Sequence, residues 1–600
     1  MGTLTAASGL AIRADGGNNT VNNSGTVIGN VILGRIVALP PGIIFFGLPS
    51  TGTNAFNNMA GGLFDSGTTV SLGAGNVLTN AGTLSPGGAG VIQATALTGN
   101  LVQSATGRLF TDINIAGAAS DRVNISGTAN LAGAVQVQVL NPQFGPFQQT
   151  VLSAAGGATI NGLSLLASPA LHAQLVFPNA TDVAVASAGI NFLTPGLNSN
   201  QTSLSNALNG AAQTSGLGGP VFNALLNGPT SLAGYGLVLN QLSGETATGS
   251  QQTTFNAMGQ FMGLLTDPFM NRGGGANPVP GASGYADEAS AYASSNRLSA
   301  ERDAYAMFTK APLAKVYDPR WSVWASGFGG SQSTSGNTAL GSNNTTSSIA
   351  GTAVGADYLF SPNTIAGFAV AGGGTSFNVA NGGTGRSDLF QIGAYVRHTQ
   401  GPAYVSASLA YGWQDITTNR TVTVAGFDQL RAQFNANAWS GRLEGGYRFI
   451  TPWSWGVGIT PYAAAQFVTF DLPAYAEQAL VGTNNFALAY GAHDATDVRT
   501  ELGIRTDKSF VVPDGILTLR GRFAWAHDYD PNRNIAATFQ SLPGASFVVN
   551  GAAQASDSAL TTASVEMRWR NNWSIAATFE GEFSNVTSSY AGKGVVRYQW

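Results

Sequence analysis

The sequence predicts an all-β chain in three parts: a β-solenoid over residues 1–195, a helical linker over 196–318, and a twelve-stranded antiparallel transmembrane β-barrel over 319–600. Three observations predict it. From Trp321 to Trp600 polarity alternates with a period of two, the pattern of strands with one apolar and one polar face. Only 9% of residues are charged while 79 of 600 are glycine, against roughly 25% charge in an ordinary soluble domain. No apolar run reaches the roughly 18 residues of a membrane helix, which leaves a closed barrel as the way through a bilayer.

Residues 1–195 hold short apolar runs broken by turn residues such as Asn23-Ser24-Gly25, Asn80-Ala81-Gly82 and Asn161-Gly162. Loose recurrences, Asn-Ser-Gly-Thr-Val-Ile-Gly-Asn at 23–30 and Asn-Ala-Gly-Thr-Leu-Ser-Pro-Gly at 80–87, predict solenoid rungs without a fixed period. Residues 196–318 carry Leu204, Leu208, Val221, Leu225 and Leu226 at helical spacing. Phe255, Met258, Met262 and Leu265 share a face of a helix over 248–265 that Pro268 stops. A Gly- and Pro-rich linker over 273–284 precedes another helix over 286–310.

The barrel strands begin near Trp321, Ile349, Thr364, Ser387, Ala403, Ala436, Trp455, Thr496, Gly515, Ala559, Trp573 and Ser588. Trp439, Leu443, Tyr447 and Phe449 alternate with Arg442, Glu444 and Arg448; Val498, Leu502 and Ile504 alternate with Arg499, Glu501 and Arg505. Leu519, Phe523 and Trp525 oppose Arg520 and Arg522, and Val565, Met567 and Trp569 oppose Glu566 and Arg568. In a membrane barrel the apolar set meets lipid and the charged set lines the lumen. Aromatics near strand ends (Trp413, Trp439, Phe449, Trp453, Trp455, Trp569 and Trp573) favour lipid over a soluble core. Tight turns at 361–363, 400–402, 451–452, 513–515 and 571–572 alternate with long polar loops at 329–347, 417–433, 472–495 and 531–557. That rhythm puts both barrel ends on the short-turn side.

The run Trp321-Ser322-Val323-Trp324-Ala325-Ser326-Gly327-Phe328-Gly329-Gly330 and the terminal Arg597-Tyr598-Gln599-Trp600 resemble the first strand and the C-terminal assembly signal of monomeric (type Va) autotransporters of Gram-negative bacteria. Gly82-Thr83-Leu84-Ser85-Pro86-Gly87-Gly88, Leu97-Thr98-Gly99-Asn100 and residues 120–129 resemble the membrane-proximal part of their β-helical passengers, and Leu239 to Glu245 resembles the segment joining passenger to barrel. The resemblance implies a right-handed parallel β-helix as passenger and a barrel in outer-membrane lipid. It implies assembly by the barrel-assembly machinery and periplasmic chaperones, with Val596, Tyr598 and Trp600 as the assembly signal; Trp600 stands where the family usually ends in Phe. It further implies a monomer that exports its own passenger to the cell surface, for adhesion or surface interaction. A helix then remains in the lumen; 286–310, with Asp287, Glu288, Glu301 and Asp303, is the expected one, facing the lumenal arginines.

Catalytic and metal motifs are absent, and no cofactor is expected. His172 is the one histidine before residue 196 and lies in an apolar stretch, so a Ser-His-Asp site has no good base. His527-Asp528 falls short of a transition-metal ligand set. Gly216-Leu217-Gly218-Gly219 lacks the strand a phosphate loop follows. The formal charge is −4 with no Lys/Arg run, which excludes nucleic acid as a partner. Zero cysteine excludes disulfides and thiolate chemistry and suits passage through an oxidising compartment. Two alternatives remain: a porin-like channel plugged by residues 1–320, and a polysaccharide-active passenger using two of Asp15, Asp65, Asp112, Asp121 and Asp182. Residues 36–49 have the length of a signal-peptide core, but Pro40-Pro41 breaks a helix there. The start at Met1 shows neither a basic nor a sustained apolar region, so further passenger and a signal peptide are expected upstream.

Overall fold

The computed structural model describes residues 2–34, 52–266, 320–451 and 456–600. The expected helix over 286–310, the apolar stretch 36–49, and Trp453 and Trp455 therefore lie outside the described residues.

The N-terminal part is a three-faced stack of parallel strands. One rung runs through Val77–Asn80, Thr83–Pro86 and Ala94–Thr98, and the next through Asn100–Gln103, Arg108–Asn114 and Arg122–Ile125, paired in parallel face by face. Inward side chains stack in columns: Phe56, Leu78 and Leu101 on one face, and Phe64, Leu84, Leu109 and Val135 on another, all buried. Leu63, Thr83, Arg108, Ala134 and Ser164 lie in register. Successive rungs are thus 20, 25, 26 and 30 residues long, and this drift is why no repeat period is legible.

A buried amide ladder ties the rungs. Asn23 Nδ2 donates to Asn58 Oδ1 (2.9 Å), Asn58 Nδ2 to Asn80 Oδ1 (2.8 Å) and Asn80 Nδ2 to Gln103 Oε1 (3.1 Å). Each asparagine also donates to a carbonyl of a strand beyond its own turn, Leu63, Thr83 and Arg108 in order. A stacked amide both donates and accepts, so it can repeat without limit inside an apolar core where an isolated polar group is costly.

The linker helices are α1 (Ser199–Ser215), α2 (Pro220–Asn227), α3 (Leu232–Ser243) and α4 (Gly249–Thr266). Asn198 and Gln201 form a capping box on α1 and Ser231 caps α3. Helix α2 closes the end of the solenoid: Asn227 Oδ1 accepts from Val139 N at 2.7 Å, and Ser168 Oγ donates to the Leu225 carbonyl at 2.6 Å.

The C-terminal part is a closed antiparallel barrel of twelve strands: β1 (Trp321–Thr334), β2 (Thr345–Ser361), β3 (Thr364–Val379), β4 (Gly383–Gln400), β5 (Ala403–Val422), β6 (Asp428–Tyr447), β7 (Gly458–Leu472), β8 (His493–Val512), β9 (Gly515–Asp528), β10 (Asp557–Trp569), β11 (Trp573–Phe583) and β12 (Thr587–Gln599). β1 and β12 form the closing seam in continuous register from Ser322↔Gln599 to Thr334↔Thr587. Trp321 and Trp600 exchange backbone hydrogen bonds of 3.0 Å at its end.

Two expected loops are largely strand. β5 and β6 run on to Val422 and from Asp428, and β1 continues to Thr334, because the ladder continues past the lipid belt, where β6 turns Leu430, Ala432 and Phe434 inward and Gln429, Arg431 and Gln433 outward, the reverse of the lipid-facing pattern. The turns at 380–382 and 584–586 join strands at the loop end and are short. The loops after β7 and β9 fold into a small sheet of their own, Tyr475–Ala476, Leu488–Tyr490, Asn534–Phe539 and Ser546–Asn550.

Removing Asn58 strands its neighbours' polar groups in the core. Asn58→Ala is expected to cost about 2–3 kcal/mol locally, read as faster hydrogen exchange over 55–83. Asn57→Ala, whose Nδ2 makes an exposed bond to Asn22, is expected to cost under about 0.5 kcal/mol.

Candidate functional site: the barrel lumen and its mouth

The alternation of β6 sends Trp439, Leu443 and Tyr447 outward and exposed, while Arg442 and Glu444 are buried inside. β8 does the same with Val498, Leu502 and Ile504 against Glu501 and Arg505, and β9 sends Leu519, Phe523 and Trp525 outward. Outward aromatics group at two levels. Tyr411 and Trp439 pack at 4.8 Å near the loop end; Trp321 with Tyr358 (4.8 Å) and Trp573 with Tyr598 (5.0 Å) pack near the turn end.

Inside, one half-wall is a network of charges. Arg442 donates to Glu501 through both terminal nitrogens, at 2.7 and 2.8 Å, and to Glu444 at 2.9 Å. Arg505 donates to the other side of Glu444 at 2.9 Å and to Tyr404 Oη at 2.6 Å, and lies 4.0 Å over the Tyr462 ring. Tyr404 donates to Glu444 at 2.7 Å. Arg499 pairs with Glu582, Arg520 with Glu566 and Lys593 with Glu580, and Arg522 lies 3.9 Å from both Glu501 and Glu580. Of the expected lumen-lining set, Arg442, Glu444, Arg499, Glu501, Arg505, Arg520, Arg522 and Glu566 are in this wall. Arg448 is not: it pairs with Asp507 at the turn-end rim, 42% exposed, because it lies just past the end of β6. Arg568 sits beside the end of β10 and is half-buried. Val596 and Trp600 point outward and exposed, and the Tyr598 ring is half-buried between Trp573 and Trp600.

Helix α4 occupies the lumen and packs on the half-wall from β2 to β7. Its Leu265 and Phe261 meet Gly393, and Met258 meets Gly412; a Cβ at either glycine would force the ends of Leu265 or Met258 to shift. About 18 residues long, it spans about 27 Å, close to the ~30 Å hydrocarbon of a bilayer. Its Asn256, Gly259, Gln260 and Gly263 face the charged half-wall across a cavity of about 170 Å³. The helix seen in the lumen is therefore 249–266, a segment the sequence marks as helical without placing it there.

At the loop end, α1 and α3 sit on the barrel mouth. Asn200 exchanges hydrogen bonds with Asn550, accepting from N and donating to O at 2.8 Å each. Glu245, buried at the head of α4, accepts from Asn343 N at 2.6 Å and Nδ2 at 2.5 Å; burial pushes its carboxyl up to about 7, against those two bonds. Arg420 and Glu477 form a buried pair at 2.5 Å. Sequence reasoning missed these pairs, whose members lie tens to hundreds of residues apart; only the resemblance at 239–245 pointed at the place.

The histidines and aspartates weighed for chemistry find structural partners. His172 Nε2 bonds the Asn191 carbonyl at 3.1 Å. His527 meets Asp557 at 2.9 Å, while Asp528, on the opposite face of the strand, faces Arg499. Asp112 and Asp121 do converge in the solenoid, both fully buried. Asp112 Oδ2 accepts from Gly90 and Val91 N, and Asp121 accepts from Gln93 and Asp112 N at 2.8 and 2.9 Å. The pair straps down the loop after Pro86. Among the described residues no group of three or more His, Cys, Asp or Glu is placed to hold a metal, and no helix is long and apolar enough to cross a membrane.

Burial, and secondarily Asp112, push the Asp121 carboxyl from 3.8 up to about 7. The folded solenoid thus holds this proton more tightly than the unfolded chain does. The linked stabilisation is complete below about 4 and lost as pH rises through about 7. Hydrogen exchange at 87–93, corrected for intrinsic rates, is expected to slow as pH falls from 8 to 5, and Asp121→Asn is expected to flatten that dependence.

A profile of the autotransporter beta-domain family matches residues 323–580. No curated protein matches the chain. Among solved structures, the translocator domain of autotransporter NalP from Neisseria meningitidis is similar at 14% identity and a TM-score of 0.39, over 53% of this chain and 100% of that one. The beta domain of the Bordetella autotransporter BrkA is similar at 17% identity and a TM-score of 0.37, over 47% and 100%. The transport unit of AIDA-I from Escherichia coli follows at 13% and 0.33, over 48% and 92%. The family match falls on the closed barrel, its outward apolar belt and its charged lumen: the C-terminal part of this chain is an autotransporter β-domain, an outer-membrane barrel.

Proposed function

We propose that this barrel exports its own N-terminal solenoid to the cell surface and keeps it seated on the external mouth, where the solenoid serves adhesion or surface interaction and not catalysis. The observation that carries the reading is the path of the chain. From the solenoid it passes through α1–α3 at the loop end and enters the lumen as α4, the path expected of a chain drawn out through its own barrel. Outer-membrane lipid surrounds the barrel. The barrel-assembly machinery, reading Val596, Tyr598 and Trp600 on the last strand, and periplasmic chaperones complete the set of partners.

The non-catalytic reading is supported by Asp112 and Asp121. Both are out of reach of solvent, and backbone N–H groups hold Asp112 Oδ2 and both oxygens of Asp121, which withdraws the two aspartates that converge from acid/base work on a polysaccharide. Against a porin-like channel stands α4, which occupies the lumen and packs on the wall from β2 to β7, with a cavity of about 170 Å³ beside it.

With a functional signal peptide supplied in front of residue 1, protease added to intact Gram-negative cells is expected to remove residues 1–195 while residues 321–600 stay protected and heat-modifiable on gels. Protection of the solenoid in intact cells, with the barrel folded in the outer membrane, would overturn the export reading.

A further inference from the structure

The chain turns from α3 into the lumen at Gln241-Leu242-Ser243-Gly244-Glu245, and different barrel loops take successive polar groups of this segment. The Gln241 carbonyl accepts from Arg420 Nη1 at 2.7 Å, and its side-chain Oε1 accepts from Thr423 N at 3.0 Å and from Thr423 Oγ1 at 3.2 Å. The Gly244 carbonyl accepts from Tyr490 Oη at 3.4 Å. Glu245 accepts from Asn343 N and Nδ2, as above. Arg420 is in turn fixed by Glu477 and by the Phe486 carbonyl at 2.8 Å. Three loops, those after β1, β5 and β7, thus converge on five residues.

Gly244 makes the convergence possible. Its φ is +72°, and a Cβ there would overlap Leu488 Cδ1 and lie 2.6 Å from Tyr490 Oη, so only glycine lets the chain pass this close under the loop. These bonds share one register. A shift of the chain by even one residue along the lumen axis breaks all of them together; it leaves the Glu245 carboxyl buried without Asn343, and takes the Gln241 carbonyl from Arg420, which keeps Glu477 and the Phe486 carbonyl.

We propose that residues 241–245 are a latch: folded external loops grip the segment in a single register, oppose sliding of the chain in either direction, and seal the lumen above α4. This rests on the export reading, since only a chain that has moved needs holding, but the seal can be measured by itself. It also gives the loops a task that a pore alone does not require.

The test uses the full chain with two variants, Gly244→Val and the double change Gln241→Ala/Glu245→Ala. Barrel folding is checked by heat-modifiable mobility and display by protease on intact cells. Both variants are expected to be folded and displayed. Amides over 241–251 are expected to exchange roughly tenfold faster, and open-pore events of the purified protein in planar bilayers to be roughly tenfold more frequent, the shift that losing buried hydrogen bonds gives a two-state closure. Folded variants with unchanged exchange and unchanged pore opening would overturn the latch. If one variant fails to fold, the other decides; if neither folds, the segment is a folding determinant and the latch is likewise overturned. Failure of the unchanged chain to display its solenoid would instead remove the export reading, and the exchange and bilayer measurements would still judge the seal.

Discussion

A backbone N–H or C=O in hydrocarbon has no water to turn to, so a sheet that crosses a bilayer has to close on itself. Here the whole C-terminal half depends on the seam between β1 and β12, the two ends of the barrel sequence, which pair without a register break from Ser322 to Thr334. Closure fixes which residues face inward on every other strand, because a one-residue slip exchanges the two faces. If the seam slipped, Arg597 and Lys593, buried inside, would be turned into lipid and Val596 into the lumen. The apolar belt and the charged lumen are consequences of a register that the last strand completes.

The lumen then has to satisfy a wall of side chains that lipid refuses, and its two halves do so differently. From β2 to β7 small residues such as Gly393 and Gly412 admit the apolar side of α4. Across the cavity, arginines and glutamates neutralise one another around Glu444 and Glu501. Partners are chosen across strands: Arg442 on β6 reaches Glu501 on β8, over β7. A wall stitched over two strands in this way keeps its own shape and does not rely on the helix to hold it open.

The barrel was legible in the sequence because lipid enforces a period of two over more than ten residues at a time, and β6, β8 and β9 show it directly. The legibility stops where lipid stops. Above the belt the polarity of β6 reverses, with Leu430, Ala432 and Phe434 inward and buried against Gln429, Arg431 and Gln433, so the continuation of β5 to Val422 and of β6 from Asp428 does not read as lipid-facing strand. The solenoid was legible as a kind but not as a count, since rungs of 20 to 30 residues share inward columns and not a sequence repeat. Within the site, the inward charges were readable strand by strand, whereas their pairings, and the meeting of Glu245 with Asn343, depend on closure and carry no local signal. The segment that fills the lumen was readable as a helix from Phe255, Met258 and Met262, but its apolar stripe looks the same whether it faces a soluble core or the inside of a barrel.

Solenoid and barrel answer one requirement by opposite means. The barrel pairs its last strand with its first and has no edge left to satisfy; the solenoid pairs each rung with the next, and its amide ladder hands the donor on from Asn23 to Asn58, Asn80 and Gln103. A closed sheet is complete or it is not. A stacked sheet gains burial and hydrogen bonds one rung at a time, so each rung formed stabilises the ones already in place. On the proposed reading this difference is useful: the part that stays in the membrane forms all at once around its seam, and the part that emerges can fold as it arrives. The linker joins the two modes, with α2 capping the stack through Asn227 and α4 filling the barrel, and the residues between them are where the stacked and the closed structures have to agree on a single register.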